Sequence, residues 1–175
     1  MAGQDFFTHT TMAWNMIQLL FPALLAILPL CLYRSSGRRM SRFYLMMVGL
    51  ETARKFYAQL LVVFLLVFHF VYVSGHPGDY GVLPSTVLSV LLCPFRRADR
   101  WLHRIHEGRR IFALLALSVL AAGFIPHLYT MAVTGGFLLL AAMFYPSYMA
   151  LDGWKEKTRR EHWRKHTDVL SGYYY

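Results

Sequence analysis

Asn15, Gln18 and Pro22 stand at i, i+3 and i+7 in an otherwise apolar run, so a helix there carries them on one face. Pro22 has no amide to bond the Gln18 carbonyl, which leaves a free acceptor in that stripe. His69 lies toward the end of a second apolar run and His127 in the turn of a third. Asn15, Gln18, His69 and His127 therefore form a candidate polar cluster in one half of a bilayer, which His9 and His76 could join from outside. Such groups act as hydrogen-bond glue between helices or, with His69 titrating, as a proton or small-ligand site.

The second set of candidates is basic. Around Trp101, the residues Ala98, Trp101, Leu102 and Ile105 follow helical spacing, while Arg96, Arg97, Arg100, His103, Arg104 and Glu107 fill the rest of the circumference. That pattern predicts an interfacial helix with its arginines on lipid phosphates. The tail repeats the theme, with Glu156 and Arg160, and Glu161 and Lys165, at i, i+4 ahead of Leu170. Arg96, Arg97, Trp101, Arg104, Arg159, Arg160, Trp163 and Arg164 are the expected contacts to anionic lipid or to a protein partner.

Catalytic patterns are missing. His103 with His106, and His162 with His166, have spacings that could bring two imidazoles to one ion. Each pair sits among arginines or lysines that repel a divalent cation. The serines and threonines show neither a nucleophile elbow nor a glycine-rich phosphate loop. The expectation is a protein without enzymatic activity, metal or cofactor.

The elements that must carry these residues are set by composition. Of the 175 residues, 57% are apolar and only 15% charged, well below the roughly 25% charged of a soluble domain. All 18 Lys and Arg gather in three groups of six: Arg34 to Lys55, Arg96 to Arg110, and Lys155 to Lys165. The apolar runs between them approach the roughly 20 residues needed to cross a 30 Å hydrocarbon core. This predicts an all-α polytopic membrane bundle with five spans, at about 12–33, 56–73, 79–95, 111–126 and 131–151. Interfacial helices are expected at about 40–55 and 96–110, and residues 152–175 form a basic cytoplasmic tail after the membrane domain of 1–151.

The short run 82–95 is decided by charge. If it crosses, every basic group lies inside and every outside segment lacks Lys and Arg, with the N-terminus out and the C-terminus in. The alternative is four spans with 82–95 re-entrant. Ser118 with Ala122, beside Ala121 and Gly123, together with Gly135, Gly136, Ala141 and Ala142, predicts a tight hairpin of the last two spans. Cys31 and Cys93 fall near the inner ends, where reduced thiols are expected.

The first eleven residues hold no Lys or Arg, so no cleavable signal or transit peptide is expected, and a bacterial inner membrane is the simplest location. The net charge of +9 is read as facing anionic headgroups, not nucleic acid. The expected function is that of an accessory or structural subunit, docking through its basic inner helices and tail on a larger membrane complex or in a homo-oligomer. The alternative is a small oligomeric transporter or channel component that uses the polar cluster.

Overall fold

The computed structural model describes residues 31–32, 37–75, 78–125 and 127–175. Asn15, Gln18 and nearly all of the first expected span lie outside these residues. Those described fold into helices, with no strand among them. They are α1 (Arg38–Gly49), α2 (Glu51–Gly75), α3 (Val82–Leu92), α4 (Phe95–Glu107), α5 (Arg109–Phe124), α6 (Tyr129–Met143), α7 (Tyr148–Lys155), α8 (Lys157–Lys165) and α9 (Thr167–Tyr174).

Two helical runs are long and apolar enough to cross a membrane, Glu51–Val73 with 23 residues and Tyr129–Lys155 with 27. The second bends where α6 passes into α7. The two differ in surroundings: 67% of the apolar window of the second is buried by the rest of the chain, against 28% for the first. Helix α6 is thus the hub, with α2, α3, α4 and α5 all packed on it. α3 has 11 residues, a rise of about 16 Å, roughly half a hydrocarbon core. Its flanking turns lengthen the path, so that the chain from Asp79 to Phe95 follows α2 from its far end back to Lys55, whose ammonium lies 5.6 Å from the Phe95 ring.

The bundle has two chemically different ends. At one, the Asp79 carboxylate accepts from the Thr130 hydroxyl at 2.8 Å and its amide at 3.3 Å, and the Gly81 amide donates to the His127 carbonyl at 2.9 Å. The Tyr72 ring meets Tyr129 there. At the other end lie α1, α4 and the tail helices α7, α8 and α9, and all of these but α9 carry lysines or arginines.

Several boundaries differ from those read in the sequence. The expected helix over 40–55 is broken at Leu50, whose extended backbone separates α1 from α2. Arg54 reaches back over the break to donate to the Met47 carbonyl at 2.8 Å and the Val48 carbonyl at 3.3 Å, satisfying the exposed end of α1. Glu51 and Lys55, at i, i+4 in the first turns of α2, pair at 2.8 Å. The basic segment 96–110 is likewise two elements, since Gly108 divides α4 from α5.

The hairpin of α5 and α6 forms, with Gly123 beside Ala132 of α6 but most of the α5 contact made by other residues. Ser118, Ala121 and Gly123 are exposed, and the packed face carries Phe112, Leu115, Ala116 and Val119. On α6 the small residues do what their size suggests. A Cβ on Gly135 would stand 2.4 Å from the Val119 Cγ2, so only glycine lets the helices approach this closely.

The tail is not a free arm. Ser147 caps α7 by accepting from the Ala150 amide, and its own amide and hydroxyl donate to the carbonyls of Tyr174 and Tyr173. The membrane domain and tail, divided at 151–152 in the sequence, meet within α7, and Trp163, Leu170 and Tyr174 are buried in the same core as Tyr44 and Leu65. Glu156 sits in extended backbone ahead of α8 and pairs with Arg159 at 3.3 Å in place of Arg160, because the i, i+4 rule presumes an unbroken helix.

Gly135→Leu should overfill the contact of α5 with α6 and cost about 1–3 kcal/mol, read as a lower thermal midpoint in detergent. Gly123→Ala should be neutral or slightly stabilising in the same assay, because its Cβ would meet only the Ala132 Cβ at 3.8 Å.

Candidate functional site

Helix α4 is covered on two sides. Ala98, Leu102 and Ile105 fill the core side, while His103 is buried against Tyr145 and Tyr148, where the chain passes from α6 into α7. Sequence periodicity puts His103 on the polar side and Trp101 on the apolar one, and both are reversed: His103 is 1% exposed and Trp101 45%. A single amphipathic stripe describes a helix covered by one layer, and here the chain between α6 and α7 supplies a second. The remaining arc, open to the surroundings, carries Arg96, Arg97, Arg100, Trp101 and Arg104.

Part of that arc lines a groove of about 740 Å³. Arg97, Arg100, Trp101 and Arg104 form its floor, Leu91 of α3 and Ile111 of α5 supply apolar walls, and Tyr148 adds an aromatic edge. Glu107 stands at the rim, where its carboxylate accepts from the Tyr148 amide at 2.9 Å. Among the described residues, none of these three arginines is ion-paired with a carboxylate. The Arg100 Nε donates to the Arg96 carbonyl at 3.1 Å, which lays its guanidinium along the helix with the terminal N–H groups unspent.

Beneath the groove lies a histidine cluster. The His103 Nε2 is 3.6 Å from the Asp99 carboxylate, which also accepts from the Tyr145 hydroxyl. Its ring stacks on Tyr148 at 4.2 Å, and its Nδ1 is buried with no hydrogen-bond partner. Burial pushes the His103 pKa below the ordinary 6.5, against the opposing pull of Asp99 and Glu107. His106 is shifted down for the same first reason, although its Nδ1 lies 2.9 Å from the Ala142 carbonyl. That contact fixes the tautomer, because a carbonyl accepts and the Nδ1 must carry the proton.

His69 and His127 lie toward the Asp79 end of the bundle, and the tail arginines at the basic end. The His69 Nε2 lies 2.8 Å from the Thr86 hydroxyl and its Nδ1 3.4 Å from the Ser85 hydroxyl, a clip between α2 and α3. His127 occupies the turn of the hairpin with a left-handed φ of 66°, its ring near Tyr80. In the tail, Arg160 and Arg164 line a smaller groove of about 430 Å³ together with Leu45, Leu50 and Trp154. The aromatic partner of Arg164 there is Trp154, at 5.6 Å, whereas Trp163 lies buried over Gly153, where a Cβ would come within 2.4 Å of its ring. Arg159 pairs with Glu156.

Sequence reading missed Tyr148 and Trp154 as surface aromatics, because their roles depend on where the chain turns after α6. Among the described residues no group of three or more His, Cys, Asp or Glu comes together to hold a metal. Cys31 and Cys93 are exposed.

With folded-state values below 6.5, His103 and His106 bind fewer protons folded than unfolded, so their stability is present above pH 6.5 and is lost as pH falls through it. The thermal midpoint in detergent should therefore drop between pH 7.5 and 5, and His103→Phe, which cannot titrate, should flatten that slope. His69→Ala should lower stability by about 0.6–2 kcal/mol, the range for one hydrogen-bonded clip between membrane helices.

No protein-family model, no curated protein and no solved structure matches the chain.

Proposed function

We propose that this is a non-enzymatic integral membrane protein of five spans that sits with its basic end at the inner, anionic face of a bacterial inner membrane. There it serves as an accessory subunit, docking on lipid and on a larger membrane complex. The observation that carries this reading is the segregation of charge. The end built by Asp79, His127 and Thr130 has no Lys or Arg among its described residues, while α1, α4 and the tail bring the basic groups together at the other. Juxtamembrane lysines and arginines gather in this way on the cytoplasmic side of membrane proteins.

The crossing by 79–95 draws support from its path beside α2 between the two ends, and the first span completes the set of five. Grooves that combine arginine, tryptophan and aliphatic walls suit headgroups and juxtamembrane segments of partners, both of which present anionic and apolar groups side by side. The tail acts as a rigid wall of this surface and not as a tether, so its contribution to docking comes from side chains such as the half-buried Arg160 and the exposed Arg164.

Affinity purification from native membranes in a mild detergent tests the reading. It should recover a stoichiometric complex, and Arg160→Glu with Arg164→Glu should reduce the co-purifying partner at least tenfold while the folded protein is retained. Recovery of the wild-type chain alone would refute the subunit reading. Orientation is checked in a Cys31→Ser, Cys93→Ser background: a cysteine at Gly78 should react with an impermeant maleimide from outside, and one at Lys157 only after permeabilisation.

A further inference from the structure

We propose that the groove on α4 binds one anionic glycerophospholipid carrying two phosphate groups, with the phosphates on Arg97, Arg100 and Arg104 and the acyl chains leaving past Leu91 and Ile111. The inference rests on the reading that the basic end faces anionic headgroups, and adds to it a defined site and a ligand class.

Charge sets the first condition. Three arginines and one carboxylate, Glu107, leave the groove with a surplus of two positive charges, which two singly charged phosphodiesters neutralise. Shape sets the second. The arginines follow one another at i, i+3 and i+7, so their Cα atoms are strung along about 10 Å of helix axis. A row of this length matches two phosphates in series better than one phosphate at a point. Each guanidinium can donate two parallel N–H bonds to phosphate oxygens, and Arg100 is already laid along the helix by its bond to the Arg96 carbonyl.

The walls favour an amphiphile over a purely soluble anion. α3 and α5 both pack on α6 and not closely on each other. Leu91 and Ile111 stand where these helices meet the ends of α4, and further exposed side chains continue away from the groove, Val87 and Val90 on α3 and Leu114 and Leu117 on α5. An acyl chain leaving the arginines therefore finds apolar surface on either side. Trp101, half exposed between Arg100 and Arg104, is the residue type that settles at the level of the headgroup and glycerol.

The full chain, delipidated in detergent, is titrated with a diphosphatidyl lipid, a phosphatidylglycerol and a phosphatidylcholine, and bound lipid is read by native mass spectrometry. The expected result is one diphosphatidyl lipid bound at least tenfold more tightly than the singly charged lipid. Replacing Arg97, Arg100 and Arg104 together by Ala should abolish that preference. A control with Arg38, Arg39 and Arg42, exposed on α1 outside both grooves, replaced by Ala removes the same charge and should change the affinity less than twofold. If the triple groove variant does not fold, Arg100→Ala alone should weaken binding about threefold. A diphosphatidyl lipid with brominated acyl chains should quench tryptophan fluorescence in the wild type and less in Trp101→Phe.

Equal losses in the groove and control variants would overturn the site while leaving the anionic-face reading intact. Equal affinity for all three lipids would overturn both. Displacement of bound lipid by inorganic pyrophosphate at similar concentrations would show that phosphate chemistry suffices and would overturn the lipid as ligand.

Discussion

The close approach of α5 to α6 at Gly135 is the contact on which the rest of the arrangement depends. In a bilayer, lipid tails are as apolar as leucine, so helices associate through packing at short range and not through escape from water. Small residues make that range accessible. Gly135, Gly136, Ala141 and Ala142 are all buried in α6, and with neighbours drawn in on several sides that helix becomes an interior element. α2, at the margin, keeps Phe64, Val67 and Phe70 exposed.

The second organising device is the aromatic latch of the C-terminus. Tyr174 lies 4.4 Å from the Tyr44 ring, its hydroxyl donates to the Phe144 carbonyl, and burial pushes its phenol well above the usual value, so it remains a neutral donor. The Tyr175 and Tyr44 hydroxyls are 2.8 Å apart. Through these contacts a segment dense in charge is held against α1, and its turn at Ser147 places Tyr148 over His103. The exposed arc of α4 narrows as a result. Chemistry at the basic end is therefore a product of chain folding: the segment from Tyr145 to Tyr148 covers one side of α4, and what it leaves uncovered is the row of arginines.

His103 marks the cost of that covering. Its Nδ1 has no partner, and burying a polar atom unpaired is unfavourable. Two aromatic faces and the Asp99 carboxylate surround the rest of the ring. At the opposite end a single carboxylate, Asp79, accepts from the Thr130 hydroxyl and amide and from the Gly81 amide at 2.8 Å, and ties the turn before α3 to the start of α6. The bundle is thus fastened by polar groups at its two ends and by close packing between them.

Hydropathy and charge spacing by themselves determined that the chain is helical, where its apolar segments lie, that 111–151 folds back on itself, and that α4 exposes arginines. These properties are set locally, because the apolar face of a helix and the spacing of its side chains are written within a few turns of sequence. Tertiary structure alone decided that α4 is covered twice, that Trp163 is buried while Trp154 faces Arg164, that α5 packs through Val119 and not Ser118, and that the tail joins the core. Each of these depends on a second element arriving from distant sequence, as Tyr174 does at Tyr44. A one-dimensional pattern records that a side chain needs cover, but which neighbour supplies it is settled only when the helices pack.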